Sequence, residues 1–401
     1  MTINRLFAKG KLMKENIQLS FIMPCFNSEA FVRNGIENIK RACSIADFSS
    51  FEIIAVNDGS TDDTANILDE LSENSEEYHL DVIHQQNKGV SSARNAGIRQ
   101  AKGDWIWFVD ADDSITDDSI SHISEILTSI CEGGNLRTDC IIFGFDILDN
   151  EQQATCLPIS PDRDKNVDVT TVKKEFLEDS YIKNIAGYSQ KNLDRLYNGL
   201  SISDQPIFLL GTVWHYLFRK DIIDENILCF DEEVSLNEDG LFVIEYLTCI
   251  DKATIINRSF YNYRLNTTGG LFGTLSNPRK MTVNKMAIAQ GREKIREKIK
   301  QRSNKDIRTY YVGSIVLSMM EIAVKSTSKK FDTELLNLYL KYCHSDVAKY
   351  AIKEVSIKGA PLKYLIPFLM LKLRLYRTVF AILWLIQKCG YQIIGTKSIF
   401  K

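Results

Sequence analysis

Four consecutive residues, Asp110-Ala111-Asp112-Asp113, close the apolar run 104–109 without a spacer. Hard cations such as Mg2+ or Mn2+ take oxygen ligands and commonly share them with a substrate phosphate. Carboxylates at a strand end are therefore suited to hold such an ion and to offset the charge of a departing diphosphate. The plain alternative is a solvated acidic turn ahead of a helix over 117–131. A second cluster, Asn57-Asp58-Gly59-Ser60-Thr61-Asp62-Asp63-Thr64, follows the apolar run 51–56. Asp58 is an acceptor suited to a base N–H or a ribose hydroxyl. Gly59 permits positive φ or close approach, and Ser60 or Thr61 suits the cap of the next helix. A third stretch, 87–97, sets Arg94 and Asn95 one turn into a helix of small residues, where an arginine can meet a carboxylate or phosphate bidentately. Glu238-Asp239 opens a helix that runs through Cys249. Acids there are favoured by the helix dipole, and a carboxylate is also one residue type of a general base.

Periodicity and punctuation indicate the elements that position these clusters. Apolar runs at 19–24, 51–56, 80–84, 104–109 and 139–145 read as short buried strands, alternating with helices over 28–46, 62–74, 90–100 and 117–131. That alternation predicts an α/β fold of βαβ units, a mostly parallel sheet with helices on both faces. Such sheets bind ligands outside the carboxyl ends of their strands, where 57–61 and 110–113 fall. Residues 147–205 read as a polar insertion with one helix near 172–182. Residues 206–219 turn apolar again, and 253–263 look like strand and turn. From Asn277 the pattern changes to long helices over 277–300, 307–326 and 332–355. The expected organisation is an N-terminal extension (1–18), an α/β domain (19–276, with 206–276 its later part) and a mostly helical region (277–401).

The segments IMPCFNSEAFV, EIIAVNDGSTDDT, NKGVSSARNAGIRQAKGDWIWFVDADD and NEDGLF, in this order, resemble glycosyltransferase family 2. The resemblance is close over 19–145 and looser over 206–265. It implies a GT-A fold, Rossmann-like, and a nucleotide-diphospho-sugar donor, most often of UDP. It also implies a divalent cation, Mn2+ or Mg2+. By this resemblance Pro24, Phe26, Asn27 and Glu29 line the nucleotide site, Asp58 meets the uracil, and Arg94 helps hold the nucleotide end. Asp110-Ala111-Asp112 matches the DxD motif, with Asp112 the foremost metal ligand and Asp110 beside it, and Asp113 assists with metal or acceptor. Family members invert the anomeric centre in one displacement, which assigns Asp239 as base and Glu238 as its orienting or acceptor-contacting neighbour. Arg264 is placed near the diphosphate. Trp214 and His215 fall where relatives shape the acceptor pocket; Trp214 is equally read as a core aromatic, and a lone histidine such as His215 is more often structural than catalytic. The QxxRW motif of processive members is missing, so one sugar per catalytic event is the expectation. A sugar nucleotidyltransferase would place a glycine-rich loop where PCFNSE stands, and a dehydrogenase would place GxGxxG there. A family member that only binds membrane or partners would not need Asp58, Asp112 and Asp239 together.

The formal net charge of the 401 residues is −3. It hides two opposed halves. Residues 277–401 hold 25 Lys and Arg against 8 Asp and Glu, whereas residues 1–276 hold 24 against 44. No acid follows Glu354. Within 361–388, Lys363, Lys372, Arg374, Arg377 and Lys388 interleave with Leu, Phe, Tyr and Trp. The longest uncharged run there is ten residues, against about 18 needed to span a bilayer. This suits a helix lying in the interface plane of an anionic membrane, or a bundle helix covering a core. The charge pattern and the resemblance together indicate a glycan or lipid-linked glycan acceptor, not nucleic acid, and a cytoplasmic chain peripheral to the inner face of the cell membrane. Nine scattered cysteines without a CxxC pair read as reduced thiols. The first 18 residues lack the apolar core of a secretory signal.

Overall fold

The computed structural model describes residues 17–75, 78–131, 138–148, 153–156, 169–173, 189–198, 211–264, 277–303, 307–324 and 331–389. In the first half β1 (Leu19–Cys25), β2 (Phe51–Asp58), β3 (His79–Gln85) and β4 (Trp105–Phe108) alternate with α1 (Val32–Ile45), α2 (Thr64–Glu73) and α3 (Val90–Gln100). These four strands pair in parallel in the order β3-β2-β1-β4. Every residue of β2 is buried, and strands covered on both faces read as unbroken apolar runs instead of alternating ones. The strand order reverses between β1 and β4, so their carboxyl ends border the crevice that an open parallel sheet offers to a ligand. Close packing of α3 requires small residues: a Cβ on Gly97 would lie 2.3 Å from Ile22 Cγ2 in β1.

Beyond β4 the sheet becomes mixed. β5 (Ser114–Ile115) and α4 (Ser119–Cys131) precede β6 (Cys140–Leu148), β7 (Gln153–Cys156) and β8 (Val169–Lys173). After α5 (Gln190–Tyr197), β9 (Tyr216–Arg219) pairs antiparallel with both β4 and β6. α6 (Lys220–Glu225) and α7 (Glu238–Cys249) lead to β10 (Lys252–Arg264), which runs parallel to β6 and antiparallel to β5 and β8. Phe108, Phe218, Phe230 and Phe242 meet edge-to-face beneath α7, with Phe230 and Phe242 stacked at 4.2 Å. The helix expected near 172–182 does not begin there, because Val169–Lys173 is a strand on β10; the rest of that stretch lies outside the described residues. Residues 253–263 form one long strand, not strand and turn.

The C-terminal region is helical: α8 (Pro278–Ser303), a 3-10 turn (Ile307–Tyr310), α9 (Val312–Val324), α10 (Thr333–Cys343), α11 (Asp346–Glu354), α12 (Leu362–Lys372) and α13 (Tyr376–Lys388). It builds its own core from Val316, Met319, Tyr339, Phe368 and Phe380, among others. The expected 332–355 helix is two helices. Ser345 accepts from the Ala348 N–H at 3.3 Å and caps a new start. The 361–388 segment is likewise two helices, broken where Arg374 takes φ +60.

The 361–388 segment divides between burial and exposure. Tyr364, Phe368 and Leu371 are buried in the helical core, as are Tyr376, Val379, Phe380 and Leu383 of α13. Leu362, Ile366, Leu369 and Leu373 are 71%, 50%, 39% and 68% exposed. At about 100° per residue these four form a second stripe, roughly opposite the buried one. Among the described residues, no helix is long and apolar enough to cross a membrane.

Candidate active site

The acidic turn after β4 is laced to β10. Tyr261 is fully buried; its hydroxyl accepts from the Asp110 N–H at 3.1 Å and donates to Asp113 Oδ2 at 2.7 Å. Asp113 Oδ1 accepts from the Arg264 N–H at 2.7 Å. Asn38 of α1 holds the next residue pair through the Ile115 N–H (2.8 Å) and the Ile115 carbonyl (3.1 Å). The turn is therefore fixed by α1 and by a strand 148 residues distant. Burial pushes the Asp113 carboxyl well up, Asp110 adds to this, the Arg264 N–H opposes it, and Asp112 raises it further. Burial, with Asp113 and Asp110 beside it, also pushes the Tyr261 phenol up.

Arg94 joins this turn to the second acidic motif. Its side chain is 4% exposed. Nη2 donates to Asp110 Oδ1 at 3.1 Å, while Nη1 donates to Glu238 Oε1 at 3.1 Å and to Asp239 Oδ1 at 2.5 Å. Its guanidinium lies over the Phe230 ring at 5.4 Å, an orientation favoured by the ring quadrupole. Burial works against the guanidinium's charge, but Asp239, Asp110 and Glu238 more than offset it, and the arginine pKa is raised. Asp239 is pushed well above the usual carboxylate range by burial. Arg94 draws it down, and Glu238 and Asp110 push it up again. A carboxylate whose pKa is lifted in this way holds a proton more readily near neutral pH. The residues alone left a carboxylate or a phosphate open for Arg94, and the resemblance a nucleotide; here Arg94 lies among three carboxylates.

On the other side of the crevice the 24–29 and 57–64 segments lock together. Asn27, at φ +50, accepts the Thr61 N–H at 2.8 Å and gives its own N–H to Ser60 Oγ at 3.0 Å. Glu29 Oε2 accepts from the Asp63 N–H at 2.9 Å, and Asp62 Oδ2 from the Glu29 N–H at 3.1 Å. Ser60 and Thr61 thus bind Asn27 and do not cap α2; Glu29 and Asp62 satisfy the N–H groups at its start. Asp58 is buried and accepts from Gln85 Nε2 (2.7 Å), the Lys88 N–H (2.9 Å) and the Gly89 N–H (2.8 Å). Gly59 has φ +68, and a Cβ there would lie 2.6 Å from Asn87 N. Pro24 pairs with Val56 at the end of β1. Phe26 is 50% exposed, and Ala111 is buried. The Arg264 guanidinium sits over the Phe31 ring at 5.6 Å, beside this segment.

The two acceptor-pocket expectations meet a different environment. Trp214 is buried, stacked on Tyr261 at 4.6 Å and Tyr263 at 5.4 Å, with Phe145 edge-on. His215 is fully buried; Nδ1 lies 2.8 Å from Thr212 Oγ1, and burial pushes its pKa down to about 3. Both belong to the core, and neither offers a ring face to an incoming sugar.

The donor set at the crevice fits a hard cation. Asp110 and Asp112 offer oxygens on a partly exposed turn, and both add to the burial that raises the Asp113 carboxyl, an environment that added positive charge relieves. A tighter trio of Glu52, His79 and Asp81 lies at the amino ends of β2 and β3, away from the crevice. There the Lys102 ammonium already stands 3.2 Å from Asp81 and 3.8 Å from Glu52. Cys25, Cys43, Cys140, Cys229, Cys249, Cys343 and Cys389 are all free.

A parallel nucleotide-type sheet with an acidic turn at its switch point and a second acidic pair facing it is the GT-A class of fold. Residues 20–135 match the family model "Glycosyl transferase family 2". Residues 20–135 thus carry a domain of the glycosyltransferase family 2 type. Among curated proteins it is similar to "Uncharacterized glycosyltransferase EpsJ" of Bacillus subtilis, 28% identical over 248 residues, covering 62% of this chain and 61% of that one. It is also similar to "Minor teichoic acid biosynthesis protein GgaB" of the same species, 25% identical over 63% of this chain and 24% of GgaB. The chain thus spans about three-fifths of EpsJ's length and a quarter of GgaB's. Among solved structures, TarS 1–349 of S. aureus in complex with UDP-GlcNAc aligns over 95% of both chains with a TM-score of 0.55 at 15% identity. That likeness is one of fold.

Proposed function

We propose that this chain transfers one sugar, with inversion, from a UDP-sugar to a hydroxyl of a glycan acceptor in cell-surface polysaccharide synthesis. The observation that carries the reading is Arg94, which brings the Asp110 turn and the Glu238-Asp239 pair to one guanidinium although they lie more than a hundred residues apart. UDP-GlcNAc in the TarS crystal and the teichoic acid role in GgaB's name support the donor and product class.

In the proposed reaction Asp239 takes the proton of the acceptor hydroxyl as its oxygen bonds to the anomeric carbon. The bond from that carbon to the diphosphate oxygen breaks on the opposite side, and UDP leaves with the electron pair. Glu238 and Arg94 hold Asp239 in place. Asp58 and the 24–29 segment face the nucleotide, and Arg264 the diphosphate. Asp112, with Asp110, would hold a Mn2+ or Mg2+ ion, which when bound neutralises diphosphate charge. The acceptor is lipid-linked, and the chain docks peripherally at the cytoplasmic face of the membrane. Support for docking comes from α12 and its C-cap, where exposed Leu362, Ile366, Leu369 and Leu373 neighbour Lys363 and Arg374 with no acid after Glu354. This is the pattern of an interfacial helix.

The test is a panel of UDP-sugars with Mn2+ or Mg2+, scored for UDP release and repeated with Asp239→Asn. Turnover of one UDP-sugar by the parent chain, and its loss in the variant with UDP affinity kept, is the expected result. UDP binding absent throughout, or an unimpaired variant, overturns the assignment. Binding to vesicles rich in anionic lipid should fall with Ile366→Asp and Leu373→Asp together; unchanged binding removes the docking face.

A further inference from the structure

The helix that presents Glu238 and Asp239 is held from both sides. On one side α3, which carries Arg94, also carries Asn95: its Oδ1 accepts the Phe230 N–H at 2.8 Å, and its Nδ2 donates to the Phe230 carbonyl at 3.0 Å and Glu232 Oε1 at 3.1 Å. On the other side stands α8, the first helix of the C-terminal region. Asn284 is 3% exposed there. Its Oδ1 accepts the Ser235 N–H at 2.9 Å and the Leu236 N–H at 3.0 Å, and its Nδ2 donates to the Leu236 carbonyl at 3.0 Å. One amide thus satisfies three main-chain groups of the residues that lead into Asn237. Asn237 itself takes φ +71, and α7 starts at Glu238.

The contact continues along the helix. Val234, Leu241 and Ile244 pack with Ala287, Ile295 and Ile299 of α8 in a small separate core. Gly291 permits the approach, since a Cβ there would lie 2.7 Å from Leu241 Cδ1. At the far end Lys298 pairs with Glu245.

We infer that Asn284 is a positioning residue for the base. The C-terminal region, through this one side chain and the close approach at Gly291, sets where the first turn of α7 places Asp239. The inference rests on the assignment of Asp239 under Proposed function. The reasoning is geometric. A buried primary amide that replaces three backbone partners fixes a short segment in register, and unmade buried hydrogen bonds are costly. A shift of about 1 Å in a reacting group can cost on the order of 100-fold in rate.

The experiment uses the full chain and the UDP-sugar that the panel turns over fastest. In Asn284→Ala, kcat should fall at least about tenfold, while the dissociation constant for UDP stays within about twofold, because Asp58 and the 24–29 segment are untouched. Gly291→Ala, which leaves the amide in place but presses on Leu241, should show the same split. Lys298→Ala, which removes only the pair with Glu245 at the far end of the same interface, should keep parental kcat. An unchanged kcat in a folded Asn284→Ala overturns the inference, and so does a parallel loss of UDP affinity. Should Asn284→Ala fail to fold, Gly291→Ala decides on the same criteria. A parent enzyme that turns over while Asp239→Asn remains active refutes the base assignment instead, a result distinct from either.

Discussion

Replacing Arg94 with methionine, similar in length and without charge, tests the central ion cluster. The parent side chain is 4% exposed, and its partners Asp110, Glu238 and Asp239 are 28%, 11% and 14% exposed. Removing one partner of a buried ion pair typically costs about 3–5 kcal/mol, because the remaining charge is left unpaired. The crevice lets some water reach Asp110, which places the expectation near the lower end, about 3 kcal/mol. For a domain of this size that is a fall in melting temperature of about 6–12 °C. The sign with pH follows from the carboxylates. Arg94 draws down the already raised Asp239 pKa; without the guanidinium that pKa rises further above its unfolded value, so the folded form is penalised most at high pH and the deficit shrinks on acidification. Thermal melts of both proteins at pH 8 and pH 5 measure it. Turnover should be lost by more than about 100-fold, since both acidic motifs lose their common anchor. A variant that melts within about 2 °C of the parent at pH 8, or a deficit that does not narrow at pH 5, would refute the reasoning.

Asp112→Asn should fold normally yet lose turnover by at least about 100-fold; full turnover in EDTA would remove the cation from the reading. His215 is neutral in the fold, with its pKa at about 3 against 6.5 in the open chain. Below pH 6.5 the unfolded chain takes up a proton that the folded one refuses, so this contribution is present above 6.5 and is lost as pH falls. At about 1.36 kcal/mol per unit, roughly 2 kcal/mol is lost by pH 5. His215→Gln should reduce the parent's stability difference between pH 7 and pH 5 by that amount in urea titrations, and parallel curves would contradict it. Gly97→Ala should destabilise by about 1–3 kcal/mol through overpacking against Ile22, with Ile22→Val recovering part of the loss; a neutral effect would mean that α3 can move off β1.

The parallel half of the fold was legible because its strands are buried on both faces. Their sequences are uninterrupted apolar runs, and the polar clusters that end them mark the carboxyl edge. The short antiparallel strand β9 and the long β10 were harder, since strand pairing over more than a hundred residues leaves no local trace. The same reason hid Tyr261 and Asn38. Each holds the acidic turn from a distant element, and neither has a local signature beyond an ordinary aromatic or amide in an apolar stretch. Arg94 was visible as a residue, but its partners were not. A guanidinium suits a phosphate and a carboxylate equally, and only the placement of α7 decides between them in the unliganded fold. Trp214 and His215 illustrate the converse. Residue type left a sugar platform and a core aromatic equally open for Trp214, and the neighbours Tyr261, Tyr263 and Phe145 decide for the core.

The opposed charges of the two halves acquire a structural meaning from α8. Its interface with α7 is lined by Val234, Leu241, Ile244, Ala287, Ile295 and Ile299, and ion pairs across it, Lys298 with Glu245 and Lys294 with Asp231, join the basic half to the acidic one. The basic region is therefore not a tether that trails from an independent catalytic unit. One end of it holds the loop ahead of Asp239 through Asn284, and the other carries the exposed stripe of α12. The two ends share a packed core running from Met281 of α8 through Met319 and Tyr339 to Phe368 and Phe380. Close-packed interiors transmit displacement with little slack. A surface that binds α12 would thus be mechanically continuous with the segment that precedes Asp239.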